Sequence, residues 1–381
     1  MESNPFFPEI HGRFAFGCMR LPMKEGEVDI PEFQKMADAF IEAGFNYFDT
    51  AHGYLDGKSE TAIKQVVTSR YPRSSYLLTN KLSGSYFNCE ADIRPYFQTM
   101  LDACGVEYFD FFLMHAMNAQ SFEKYKACRA FEIAFELKQE GKIRHVGMSF
   151  HDKAAVLDRI LTEYPQIEVV QIQFNYLDYD DVSIESRKCY EVCKKHGKPI
   201  LVMEPVKGGR LVNLPPEGMD ALARCNEELG VNRSPASYAI RFVASFPEIA
   251  CVLSGMSNYE QMADNLSFMK DFQPISNRER QAIGEVVEAF DKLHLITCTK
   301  CRYCVEENHC PMGIEIPRVF ALYNAKKAFN EYNQVRYYEA LIEQSGAASS
   351  CIGCGGCEAV CPQHLPIREL LVDVAREFEG K

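Results

Sequence analysis

The sequence predicts an α/β chain made of a (β/α)8 barrel of the TIM type followed by a small, mainly helical domain. Three observations carry this. Between residue 31 and about residue 270, short apolar runs alternate with longer segments of helical period, which is the mark of βα units. Counted with a first strand near RFAFGCMRL, the units number eight, the number that closes such a barrel. The sixteen cysteines are unevenly spread, with two dense blocks between Cys298 and Cys361. A length of 381 residues suits a barrel of about 250–300 residues with an appendage of about 90. The expected domains are therefore 1–290 and 291–381.

In chain order, the strand candidates are RFAFGCMRL, FNYFDTA, YLLTNK, YFDFFLMHA, IRHVGMSF, EVVQIQFNY, KPILVMEPV and EIACVLSGM. Helical stretches such as EFQKMADAFIEAG, AAVLDRILTEYP and ESRKCYEVCKKHG lie between them. Gly44, Gly105, Gly141 and Gly197 stand where helices should stop, since glycine enters the left-handed C-cap conformation at little cost. An open doubly wound sheet is the alternative, but the first βα turn carries no G-x-G-x-x-G. After the eighth unit, NRERQAIGEVVEAFDKLHLI reads as one more amphipathic helix leading to Cys298. Between the cysteine blocks, IPRVFALYNAKKAFNEYNQVRYYEALIEQ is helical in character.

Hydrophobic residues make 47% of the chain and charged residues 25%, ordinary values for a soluble globular protein. No stretch approaches the roughly 18 unbroken apolar residues of a membrane helix. A formal charge of −12 argues against a nucleic-acid partner, because phosphate binding relies on clustered Lys and Arg. The N-terminal MESNPFFPEIHGR has no basic start followed by an apolar run, so a reducing cytoplasm is expected and disulfides are not.

The two blocks read CTKCRYCVEENHCP and CIGCGGCEAVCP, with cysteines 298, 301, 304, 310 and 351, 354, 357, 361. Two-residue gaps let three sulfurs from one tight turn converge on one face, and a cubane cluster needs a fourth from elsewhere. The second block matches the bacterial ferredoxin run C-x2-C-x2-C-x3-C-P, and the first has two extra residues before its last cysteine. Zinc is the bland alternative, although a third cysteine at the next short step has no task in a zinc site. The tail thus resembles the helical kind of two-cluster ferredoxin, which implies two four-iron four-sulfur clusters. In such proteins the cysteine before proline serves the other cluster. The resemblance implies Cys298, Cys301, Cys304 and Cys361 on one cluster, and Cys310, Cys351, Cys354 and Cys357 on the other.

In a TIM barrel, catalytic side chains come from the C-terminal ends of strands. FDTAHGY ends the second strand with Asp49 and places Tyr54 five residues on, LLTNK ends the third with Lys81, and FFLMH ends the fourth with His115. Each has a plain structural reading: a turn cap, a loop aromatic, a solvated strand end and a core histidine. Together they resemble the aldo-keto reductase family over residues 10–270, and with the tail its iron–sulfur subgroup. The resemblance implies Tyr54 as proton donor, Lys81 as the cation lowering its pKa, Asp49 as the group orienting Lys81, and His115 as a hydrogen bond to the substrate carbonyl. It also implies that Ser149 and Gln171 face a nicotinamide carboxamide, although Phe150 stands where Asn is usual and Met203 where a stacking tyrosine is usual. Gly208 and Gly209 in PVKGGRL would face a diphosphate; Ser257, Gln261 and Asn265 would contact the nucleotide; Met256 occupies the position of a 2'-phosphate-binding cation. His52 and His151 fall near the predicted mouth and read as structural or solvated. The remaining cysteines, Cys189 and Cys193 among them, read as buried thiols.

The expected function is oxidoreduction of a small carbonyl or alcohol substrate with NAD(P), the clusters supplying or accepting electrons and a redox protein as a further partner. Nicotinamide moves two electrons as hydride and a cluster moves one, so FMN on the same barrel is an alternative. An electron carrier whose barrel only docks is another.

Overall fold

A computed structural model describes residues 4–181, 184–293, 295–329 and 333–380. Eight strands form a closed barrel: β1 Phe14–Gly17, β2 Tyr47–Asp49, β3 Leu77–Leu82, β4 Phe109–Met117, β5 Ile143–Phe150, β6 Val169–Gln173, β7 Ile200–Met203 and β8 Ile249–Gly255. Every pairing is parallel, and β1 pairs with both β2 and β8, so the sheet has no edge. That closure excludes the open sheet. All eight expected strands are present because each carries an apolar run that is largely buried, as parallel barrel strands are. Gly44, Gly105, Gly141 and Gly197 each take positive φ just past a helix.

The barrel interior is packed, with Ala15, Tyr47, Leu113, Val169, Leu201 and Cys251 in one buried cluster. At Gly147 on β5 the interior leaves no room for a side chain. A Cβ there would lie 2.5 Å from Val169 Cγ1, 2.6 Å from Val169 O and 2.7 Å from Leu113 Cδ2. One element was not foreseen, a two-stranded antiparallel ribbon of Met23–Lys24 with Glu27–Val28. Its turn residues Glu25 and Gly26 have φ of 53° and 83°, the signs a type I′ hairpin requires.

By contacts the chain forms two compact units, one of Met1–Pro205 with Ala236–Ile275 and one of Val206–Pro235 with Ser276–Lys381. The first holds the barrel. In the second, helices Pro216–Leu229 and Asn277–Asp291 pack together, with Gly218 against Val286, and Arg233 pairs with the buried Glu279. The expected linker helix is this Asn277–Asp291, while His294 at its far end lies outside the described residues. The region between the cysteine blocks is helical over Ile316–Phe329 and Asn333–Ile342, residues 330–332 lying outside the description. With the final helix Ile367–Glu379 it encloses an apolar core that includes Ile314, Phe320, Tyr338 and Leu371. Among the described residues no helix is long and apolar enough to cross a membrane.

Gly147→Ala is expected to destabilise the barrel by about 1–3 kcal/mol, the cost of overpacking a filled interior. A lower urea midpoint by far-ultraviolet circular dichroism would report it, and an unchanged midpoint would show that β5 and β6 can part without cost.

Candidate active site and cluster cysteines

Asp49 ends β2, Lys81 lies near the end of β3, His115 near the end of β4, and Tyr54 in the loop after β2, and the fold gathers all four. The Lys81 ammonium donates to Asp49 Oδ1 at 2.5 Å, to the Thr50 carbonyl at 2.9 Å and to the Tyr54 hydroxyl at 3.2 Å. Lys81 is fully buried and Asp49 nearly so. The other Asp49 oxygen accepts from Gln171 Nε2 on β6 at 3.2 Å. The His115 ring stands edge-on to the Tyr54 ring at 6.0 Å, and its Nδ1 shares a hydrogen bond with Ser83 Oγ at 2.6 Å.

Ser83 was not foreseen. It lies two residues beyond Lys81, so the two-residue period of β3 could have placed it on the same face. Ala116, next to His115, has φ of 53°, a conformation that costs an alanine energy. The Ser149 hydroxyl accepts from the Ala116 amide at 2.8 Å and helps hold it. This is also where the β4–β5 register shifts, between Met114 and Met117.

Burial dominates the protonation of these groups. It pushes the Tyr54 phenol well above its usual value, with the carboxylates Asp49 and Glu204 adding to the rise and Arg20 opposing it. The direction is upward, opposite to the fall expected beside Lys81, with burial the largest cause. Burial likewise lowers Lys81 while the Asp49 ion pair resists. His115 is held well below the ordinary histidine value by burial, then by the charges of Lys81 and His151. Tyr54 is thus a neutral donor and His115 a neutral imidazole. With Nδ1 accepting from Ser83, that imidazole can present Nε2–H.

Of the residues expected at the nucleotide, Ser149 and Gln171 are buried and bonded to Ala116 and Asp49 as above. Asn265 is buried with its amide on Ser254 Oγ at 2.8 Å. Ser257 and Gln261 are exposed at the start of helix Tyr259–Met269, where the Ser257 amide donates to Gln261 Oε1 at 2.8 Å. Met256 is buried. Gly208 makes its close approach within the second unit, where a Cβ would lie 2.2 Å from the Thr299 carbonyl oxygen; Gly209 follows with φ of 94°. His52 is engaged by the buried Glu60 at 2.7 Å, and the His151 amide donates to the Met117 carbonyl. Of the scattered cysteines, all but Cys89 are buried, Cys189 and Cys193 included.

The cysteine blocks fold into matching turns. Lys300 and Arg302 in the first, like Gly353 and Gly355 in the second, have positive φ, and each turn runs into a short helix, Tyr303–Glu306 or Gly356–Ala359. Alternating left-handed residues aim backbone N–H groups inward, the nest arrangement of iron–sulfur sites, and the Lys300 amide lies 3.5 Å from Cys298 Sγ. Cys310, Cys351, Cys354 and Cys357 line one small cavity with Ile314 and Leu371. Cys298, Cys304 and Cys361 lie close enough to act on one another electrostatically. Among the described residues no three His, Cys, Asp or Glu side chains close on a single point. The four thiols of Cys310, Cys351, Cys354 and Cys357 line a common cavity, and thiolates are the ligands a 4Fe-4S cluster takes.

A buried neutral histidine ties stability to pH. The unfolded chain binds a proton near pH 6.5 that folded His115 refuses, so this contribution to stability is present above that pH and lost as pH falls toward the lowered folded value. His115→Gln is therefore expected to flatten the fall of the urea midpoint between about pH 6.5 and 5. An identical slope in the variant would show that other groups set it.

The profile of the aldo/keto reductase family matches residues 13–288, and that of a 4Fe-4S dicluster domain matches residues 297–365. The uncharacterized oxidoreductase YqkF of Bacillus subtilis is 23% identical over 281 residues, covering 66% of this chain and 85% of that protein. The aldo-keto reductase AKR11C1 from Bacillus halodurans, in its holo form, superposes with a TM-score of 0.56 at 25% identity, over 72% of this chain and 91% of that one. The aldo-keto reductase from Klebsiella pneumoniae solved with NADPH shares the fold, with a TM-score of 0.57 at 19% identity over 72% and 90% of the two chains. The C-terminal region of the present chain is a dicluster domain for two 4Fe-4S clusters, and through the barrel that precedes it the chain belongs to the aldo/keto reductase family.

Proposed function

We propose that this oxidoreductase interconverts a small carbonyl compound and its alcohol in the barrel, using a nicotinamide cofactor, with the clusters supplying or accepting electrons. The observation that carries the reading is Lys81 Nζ bonded at once to Asp49 and to the Tyr54 hydroxyl. A bound nicotinamide would supply the hydride, and the NADPH of the Klebsiella relative supports that choice. Tyr54 gives its proton to the substrate oxygen as charge develops there, and the Lys81 ammonium stabilises the phenolate left behind. Asp49 keeps Lys81 charged and aimed, while His115 positions the oxygen through Nε2. Gln171, Ser149, Ser257, Gln261 and Asn265 are the proposed cofactor contacts, with Gly208 and Gly209 in the loop after β7.

For the clusters we propose Cys298, Cys301, Cys304 and Cys361 on one, and Cys310, Cys351, Cys354 and Cys357 on the other. Domains of 1–290 and 291–381, a cytoplasmic location and a separate redox protein as electron partner complete the reading. FMN in place of nicotinamide is a second reading, favoured by Phe150 and Met203 at the positions of the usual carboxamide and stacking contacts. The visible spectrum of anaerobically purified protein separates the two. A docking barrel would have no use for the Lys81 arrangement.

Tyr54→Phe is expected to lower turnover with NADH or NADPH by about 10²–10⁴-fold with nucleotide binding nearly unchanged in fluorescence titration. Retained turnover would remove Tyr54 as the donor. Purified protein should carry about eight irons, and Cys361→Ala should damage the cluster held by Cys298, Cys301 and Cys304. Damage confined to the cluster of Cys351, Cys354 and Cys357 would overturn the crossed assignment.

A further inference from the structure

To hold a carbonyl oxygen, His115 needs hydrogen on Nε2, and a neutral imidazole carries only one hydrogen, so something has to keep it off Nδ1. The partner of Nδ1 is Ser83 Oγ at 2.6 Å, and both residues are buried. A hydroxyl can donate to that nitrogen or accept from it, and the distance alone does not choose. The two residues are brought together by Tyr125, whose hydroxyl lies 2.5 Å from the Leu82 carbonyl and 3.2 Å from the His115 carbonyl, clasping the ends of β3 and β4. What decides the direction of the Ser83 bond is the other group that Ser83 meets.

That group is Tyr96, on helix Glu90–Cys104 and 9% exposed. Its ring is fixed in place, stacked on Tyr86 at 5.3 Å and set edge-on to the His52 ring at 5.2 Å. His52 is itself held by the buried Glu60 at 2.7 Å, whose other oxygen accepts from the Asn80 amide at 2.7 Å. Ser83 is the hydroxyl that acts on the Tyr96 oxygen as a hydrogen-bond partner. The contact is looser than an ordinary bond, for the buried Tyr96 oxygen has no partner at normal geometry among the described residues. Enclosing a phenol without an acceptor is costly, which gives the pair a standing reason to close.

Burial, with the Glu60 carboxylate second, pushes the Tyr96 phenol far up, so it keeps its proton and has one hydrogen to give. If Ser83 donated to Tyr96, that phenol hydrogen would be left without an acceptor among the described residues, and Nδ1 of His115 would have to carry the imidazole hydrogen. The opposite order satisfies every group: Tyr96 donates to Ser83 Oγ, Ser83 donates to Nδ1, and the imidazole hydrogen stays on Nε2. We propose that Tyr96 is a positioning residue that acts through Ser83 to fix the tautomer of His115 and so to aim an N–H at the substrate oxygen. The substrate contact rests on the carbonyl chemistry proposed above; the tautomer does not.

The test reads the imidazole directly, by nitrogen-15 magnetic resonance of the full, cluster-loaded chain labelled in histidine. The His115 signals, assigned by their loss in His115→Gln, should show hydrogen on Nε2 and a bare Nδ1. Tyr96→Phe removes the hydroxyl and keeps the ring, and it should raise the share of the Nδ1–H form by about two- to tenfold, the weight of one neutral hydrogen bond. A wild type with hydrogen on Nδ1, or a Tyr96→Phe spectrum identical to that of the wild type, overturns the proposal. Should Tyr96→Phe fold poorly, Ser83→Ala is read in the same way: a gain of Nδ1–H supports the proposal and an unchanged spectrum overturns it. Turnover gives a second reading, since Tyr96→Phe should lower kcat by a similar factor in the wild type and by nothing further in Ser83→Ala. An equal loss in both backgrounds would mark Tyr96 as a packing residue only and overturn the proposal. The tautomer is read without substrate or nucleotide, so it stands apart from the carbonyl chemistry, whose own failure appears as retained turnover in Tyr54→Phe.

Discussion

The barrel's chemistry depends on an ion pair that water hardly reaches. Taking an ammonium and a carboxylate out of water costs several kcal/mol for each ion, and their attraction repays this only when the remaining donors and acceptors are also satisfied. Here they are: one Asp49 oxygen takes Lys81, the other takes Gln171, and the ammonium also serves Thr50 O and Tyr54. Asp49 and Gln171 come from β2 and β6, on opposite sides of the ring, so the pair is complete only once the barrel has closed. The same burial keeps Tyr54 protonated and His115 neutral.

The second unit meets a similar constraint with backbone. Its cysteine turns need left-handed residues, which the second block supplies with Gly353 and Gly355 and the first with Lys300 and Arg302. Using Lys and Arg there costs conformational energy and brings positive charge to the turn. Lys207 repeats the choice.

The barrel was legible because each strand is an apolar run with a clear helical segment after it, and because Asp49, Lys81 and His115 end such runs. The ribbon at Met23–Val28 was not, since two-residue strands leave no periodic trace. Ser83 and the strained Ala116 were hidden for another reason: what they hold depends on side-chain direction and a local register shift, neither of which spacing records. The direction of the Tyr54 shift was misread because charge neighbours can be guessed from strand order, whereas desolvation depends on how completely the surrounding side chains close. The packing of Pro216–Leu229 with Asn277–Asp291 was equally out of reach, for an amphipathic pattern says that a face is buried and not what covers it.

The second unit is discontinuous, and this bears on its synthesis. Val206–Pro235 leaves the ribosome first, but the helix that covers it begins at Ser276, beyond the whole of Ala236–Ile275. At about 5–20 residues per second, Leu222 and Cys225 wait roughly three to eleven seconds before their partner helix starts to appear. The strained Lys207–Gly208 loop waits longer, until Thr299 has been made. Barrel closure is therefore free to precede maturation of the iron-bearing unit, and a nascent chain stalled between the two would display the uncovered apolar face of this helix to any chaperone or protease nearby.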